Sequence, residues 1–178
     1  MRKKIRFITE TAVLLALLVS LQALTKPMGQ LVTGSCVNAV LAVTVLVAGV
    51  YSGITVAIIS PVLAFLLGIA PQILTVPAIM VGNTVFVLVL HFVSGKRLVR
   101  QLLAWLAAAV AKFAALYAIV VWLICGVFAE KLLSFGALKA PMLKALPISF
   151  GVTQLFTALI GGALALLIVP ILRKALRK

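Results

Sequence analysis

A chain of 178 residues that is 65% hydrophobic and only 10% charged, with a mean hydropathy of +1.35, carries more apolar surface than a water-facing fold can bury. Composition therefore excludes an ordinary soluble domain and points to a membrane-embedded protein. The net charge of +14 would otherwise suggest a nucleic-acid partner, but the basic residues flank apolar runs and form no stripe with interleaved aromatics, so no nucleic acid is expected.

A helix crosses a hydrocarbon core of about 30 Å with roughly 20 residues at about 1.5 Å each. On that ruler, with Gly, Pro and Lys as punctuation, the sequence predicts one all-α domain over residues 1–178, with six transmembrane helices at about 7–25, 33–50, 53–70, 73–93, 102–128 and 148–171. The first follows the basic cluster Arg2, Lys3, Lys4 and Arg6 and is too long for a secretory signal core. It carries Ala12, Ala16 and Ser20 at four-residue spacing, a small-residue face that lets another helix approach closely. Gln30 and Thr33 follow in the first external loop, and Asn38 lies inside the second span. Spans two and three, joined only by Val50, Tyr51, Ser52 and Gly53, form a tight hairpin, and small residues recur on span three at Gly53, Ala57, Ser60, Ala64 and Gly68.

Span four holds Asn83 near Pro77 and ends at His91, beside the second basic cluster, Lys96, Arg97 and Arg100. Span five contains Lys112, the one basic residue inside an apolar stretch, then Tyr117, Trp122 and Cys125. The following loop, EKLLSFGALKAPMLKALP, mixes lysines with Phe135, Leu138, Met142 and Leu143, a pattern that could lie on the membrane surface or cover a cavity. Span six carries Gln154 and the small residues Ala158, Gly161, Gly162 and Ala165, and runs into Arg173, Lys174, Arg177 and Lys178.

Loops on the cytoplasmic side are enriched in Lys and Arg. The two termini and the middle loop hold eleven basic residues, whereas the loops around 26–32, 71–76 and 129–147 hold four, so both termini are expected in the cytoplasm. That topology gives each polar residue a depth. Asn38, Asn83 and Gln154 all lie about 7 to 9 Å below the external surface and could form one polar layer. An amide in hydrocarbon demands a partner, so this layer is the expected substrate-binding site, or else a set of interhelical hydrogen bonds. Trp122 at a similar level and the deeper Tyr117 offer flat surfaces for stacking, although for Trp122 the interfacial belt is the favoured reading. Gln30 and Thr33 could close over the site.

Lys112 has two readings, a counter-charge for a substrate carboxylate or phosphate, or a structural lysine that snorkels or pairs with Glu10. His91 near the inner end of its helix is read as interfacial rather than as a proton relay, and Cys36 and Cys125 as small packed residues rather than a disulfide. Only Glu10 and Glu130 are acidic, there is one His and no Asp, and no G-x-x-x-x-G-K-[ST] loop occurs. An enzyme, a metal site and ATP binding in that mode are therefore not expected, and no cofactor is.

In its length, six hydrophobic spans with both ends inside, basic N-terminus, Ala12-x-x-x-Ala16 in TETAVLLALLV, Gly- and Pro-rich third span and PAIMVGN segment, the chain resembles the substrate-binding S component of energy-coupling factor (ECF) vitamin transporters. The resemblance implies capture of a vitamin or related small molecule in the outer half of the bundle. It further implies docking on a transmembrane T subunit driven by two ATPase subunits, with Ala12 and Ala16 on the docking face. The rival expectations are a self-contained secondary transporter or channel, monomeric or dimeric, with Lys112, Glu10 and His91 handling ions, or an accessory membrane protein with an assembly role.

Overall fold

The structure is a computed structural model describing residues 2–69, 72–95 and 97–176, with side chains from Lys4 onward. Met1, residues 70 and 71, Lys96, Arg177 and Lys178, and the side chains of Arg2 and Lys3, lie outside the described residues. Among the described residues eight α-helices follow in chain order: α1 (Arg2–Thr25), α2 (Gln30–Val47), α3 (Val50–Leu66), α4 (Val76–Val93), α5 (Leu98–Leu116), α6 (Ala129–Ser134), α7 (Ala140–Phe150) and α8 (Val152–Leu176). Past Leu116 the fifth helix runs on in wide π-helical turns over Tyr117–Val127, and no strand occurs among the described residues.

Among the described residues five segments are long and apolar enough to cross a membrane, and α3, with 17 residues, is a shorter apolar helix. Around the girth, large apolar side chains such as Ile58, Val81, Leu103, Val110, Ile160 and Leu167 are exposed. Buried amides and an ammonium lie inside. This is the inversion that lipid, rather than water, rewards. The chain is a helical membrane protein.

Several expected boundaries shift. The α2–α3 hairpin turns at Ala48 and Gly49, and Val50–Gly53 is already the first turn of α3. Gly49 takes φ +97°, which an L side chain rarely adopts, so the connection can be this short. The loop at 129–147 is not irregular: it folds into α6 and most of α7, with Leu138 buried, Met142 and Leu143 partly buried and Phe135 exposed. Leu138, Leu146 and Phe150 form a buried cluster with Ala78, Leu116 and Val120. Ala145, Leu146, Ser149 and Phe150 of α7 line a cavity.

The main core is built on α2, in which every residue from Val37 to Val45 is buried. Around it pack α1, α3, α4 and α8. The α2–α8 contact is close because Gly34 faces Thr157 and Gly161 faces the backbone of Ser35 and Ala39 and the side chain of Asn38. Trp105 Nε1 donates to the Leu159 carbonyl at 3.0 Å, tying α5 to α8 where Gly162 leaves room for the indole. On α1, Thr11, Leu18 and Thr25 are buried at seven-residue spacing, whereas Ala12, Ala16 and Ser20 are exposed. The small-residue face of α1 is therefore open, not spent on intramolecular packing.

A Cβ on Gly161 would sit 2.5 Å from the Ser35 carbonyl oxygen and 2.6 Å from Asn38 Cβ, closer than real contacts allow. Gly161→Ala is expected to lower stability by about 1 to 3 kcal/mol through overpacking, more than any gain in helix propensity. Gly126→Ala, whose Cβ would meet only the Val121 carbonyl at 3.7 Å, serves as the control. Thermal unfolding of the purified proteins checks this, and equal melting temperatures would refute the close α2–α8 contact.

Candidate functional site

One end of the bundle, bearing the α1–α2 connection, the α3–α4 connection and α7, contains a cavity of about 260 Å³. Its wall brings together Asn38, Asn83, Lys112, Gln154, Gln30 and Thr33, all expected at the site. The polar layer assembles because α2, α4, α5 and α8 each present one polar residue at the same level.

Lys112 sits at the floor and is 2% exposed. Its Nζ donates to Asn38 Oδ1 at 2.6 Å and to Asn83 Oδ1 at 2.7 Å, and lies 5.6 Å from the centre of the buried Phe86 ring. Two amide oxygens and a π face solvate the ammonium partially. They bring no negative charge. Glu10 is engaged elsewhere, accepting from Arg6 Nε at 2.7 Å one helical turn away, so the Lys112–Glu10 pair does not form. Neither Glu10 nor Glu130 lines the cavity.

The two amides differ in how completely they are satisfied. Asn38 Nδ2 donates to Thr157 Oγ1 at 3.2 Å, and Thr157 donates to the Gln154 carbonyl at 3.0 Å, so α2 and α8 share a closed chain of hydrogen bonds. Asn83 Nδ2 has no protein partner although the residue is 1% exposed. Among the described residues four buried side-chain polar atoms lack a partner, and three of them, on Gln22, Thr33 and Asn83, belong to residues of this cavity wall. Unmet hydrogen-bonding capacity is thus concentrated where a solute can meet it.

Gln154 plays a more local part than its depth alone suggests. Its Nε2 donates to the Ser149 carbonyl at 3.1 Å, bracing the break between α7 and α8. Tyr117 and Trp122 are not brought to the cavity: they are 47% and 64% exposed and absent from its wall. The inward face of the fifth helix repeats at four residues, through Ala104, Ala108, Lys112, Leu116, Val120 and Ile124. Tyr117 and Trp122 are one and two residues off that stripe, so correct depth is combined with the wrong azimuth.

Other side chains at the site escape a reading by depth. Gln22 near the end of α1, Lys26 and Gly29 in the α1–α2 connection, Gln72 and Thr75 before α4, and Ser149 and Phe150 of α7 all line the wall. They lie at helix ends or in connections, where polar residues are ordinary and carry no sequence signal. His91 is exposed and stacks edge-on against Phe92 at 5.1 Å, and both Cys36 and Cys125 are free. Among the described residues no cluster of His, Cys, Asp or Glu could hold a metal ion.

Removing one acceptor leaves a buried charge undersolvated, whereas removing the charge leaves only neutral amides. In protein freed of solute, Asn38→Leu and Asn83→Leu are each expected to destabilise by about 3 kcal/mol, and Lys112→Met by distinctly less. Chemical denaturation of the three variants checks the order, and a Lys112→Met variant less stable than both would contradict it. Comparison of the chain with protein-family models, with curated proteins and with solved structures gave no match.

Proposed function

We propose that this chain is the substrate-binding S component of an ECF-type uptake system, capturing a vitamin or related small molecule and handing it to an energy-coupling module. The observation that carries the reading is the cavity at one end of the bundle, roofed by α7 and floored by Lys112, Asn38 and Asn83. A concave site of this kind, mostly apolar with a few convergent polar groups, is what small-solute recognition requires. The site lies near the end of the bundle rather than along a through-going path, which favours capture over conduction.

The exposed face of α1 supports the second half of the reading. Ala12, Ala16 and Ser20 are open, flanked by the exposed apolar side chains of Val13 and Leu17. A smooth face of this type allows a partner's transmembrane helix to approach closely. In this reading the partner is the T subunit, and ATP is hydrolysed by two further subunits. The rival, a self-contained transporter, is less well served, because Glu10 is bonded to Arg6 and His91 is exposed beside Phe92, so neither joins Lys112 in a relay.

The proposal places the protein in the cell membrane with six crossings, both termini in the cytoplasm and the cavity opening outward. In a background lacking Cys36 and Cys125, a cysteine at Lys139 is expected to react with an impermeant maleimide applied to intact cells, and one at Arg97 only after permeabilisation. The reverse pattern would invert the topology and overturn capture from outside.

Function is tested by comparing binding with uptake. The purified chain is expected to retain a solute detectable by native mass spectrometry, and to accumulate it in liposomes only when reconstituted with a coupling module and ATP. Ala12→Trp and Ala16→Trp should abolish that uptake, by a factor of about 100 or more, while leaving retention intact. Uptake by the chain alone, driven by a proton gradient, would refute the proposal.

A further inference from the structure

Resting on the cavity as the solute site, we infer that its ligand is a compact monocarboxylate, with the carboxylate bound at the floor by Lys112 and by the free amide N–H of Asn83. Lys112 is buried with no acidic residue on the cavity wall, so the chain itself supplies no counter-charge. A buried ammonium solvated only by neutral dipoles remains several kcal/mol short of its hydration, a deficit that an anion entering the cavity removes.

The donor count favours a carboxylate. An ammonium has three N–H groups, and two are directed at Asn38 Oδ1 and Asn83 Oδ1, leaving one. Beside it stands Asn83 Nδ2, buried and without a protein partner. Its amide group is held in place by the 2.7 Å bond from Nζ to Oδ1. The two donors together match the two oxygens of one carboxylate. A phosphate or phosphonate dianion would leave an excess negative charge at a floor with a single cation. The other basic residue on the wall, Lys26, is at the exposed rim, where its Nζ donates to the Gly68 carbonyl at 2.6 Å. From there it attracts an anion toward the mouth without adding a second charge at the floor.

The rest of the wall suits a small apolar body. Val37, Pro61, Ala64, Ile79, Leu116 and Phe150 surround the polar floor. Thr33 and Gln22 still have unpartnered polar atoms above it, available to a second polar group on the solute. The ligand class is therefore an acid with a short apolar or aromatic body.

The test uses matched acids and amides on the purified full chain in detergent: benzoate and benzamide, 3-phenylpropanoate and 3-phenylpropanamide, hexanoate and hexanamide, together with phenylphosphonate. Apparent affinities are read by thermal shift and native mass spectrometry. At least one carboxylate is expected to bind about tenfold or more tightly than its own amide and than phenylphosphonate. In Lys112→Met that gap should close, because the acid loses more affinity than its amide does.

Amides that bind as well as acids, a phosphonate that binds best, or an acid–amide gap that survives in Lys112→Met would overturn the carboxylate assignment while leaving the cavity as the solute site. If Lys112→Met does not fold, the acid–amide comparison on the unaltered chain decides. Failure of every acid to bind also overturns the assignment. In that case, a co-purified solute lost on Asn83→Ala preserves the cavity reading, and the absence of any retained solute ends both.

Discussion

A single buried ammonium organises this protein's interior. Lys112 lies midway along a 30-residue apolar segment, surrounded by helices that expose apolar side chains outward, and its charge cannot be left without partners there. Asn38 from α2 and Asn83 from α4 point their carbonyl oxygens at it, and Phe86 places a ring face 5.6 Å away. Three helices are thereby fixed in register at one level by a single side chain. Asn38 extends the network through Thr157 to α8. What this solvation omits is negative charge, and the omission faces a cavity. The interaction that stabilises the register is the same one that leaves the site incomplete.

The packing around that network explains why it can be held without other polar support. α2 is buried along its middle turns, and α8 approaches it at Gly34 and Gly161, where a methyl group would collide with the Thr157 side chain and with the α2 backbone respectively. Without a hydrophobic driving force between helices in lipid, such close approach supplies the dispersion contacts that hold the bundle. It also places Thr157 within reach of Asn38. By contrast α1 fully buries only Thr11, Leu18 and Thr25, with Leu14, Leu15 and Leu21 partly buried against the core and Thr11 Oγ1 lying 2.8 Å from Ser52 Oγ. Its remaining surface is available to lipid or to another helix.

Reading polar residues by depth picks out several side chains that the structure brings to one cavity wall, because depth follows from helix rise and span boundaries alone. Asn38 and Asn83 converge as that reading expects, and Lys112, unexplained by loop charge, is the residue that joins them. Depth fails for Tyr117 and Trp122 because it contains no azimuth, and the inward stripe of the fifth helix passes through Leu116 and Val120 instead. The stripe was present in the sequence as a four-residue repeat from Ala104 to Ile124, but the all-apolar outer face hides it. In a membrane helix, lipid-facing and core-facing positions are both hydrophobic, so the contrast that marks faces in soluble helices is lost.

Composition and loop charge by themselves determined that this is an apolar helical chain, roughly where its helices run, and which polar residues lie within them. Those properties depend on local hydropathy and on 1.5 Å of rise per residue, which neighbours in sequence suffice to define. The tertiary structure alone decided that the segment after the fifth helix folds into α6 and α7, with α7 lining a cavity, that Glu10 bonds to Arg6 and not to Lys112, and that Gln22, Lys26 and Ser149 join the wall. Each of these depends on which helix faces touch, and that choice is made by small residues such as Gly161 and by the partners a buried Lys112 can reach.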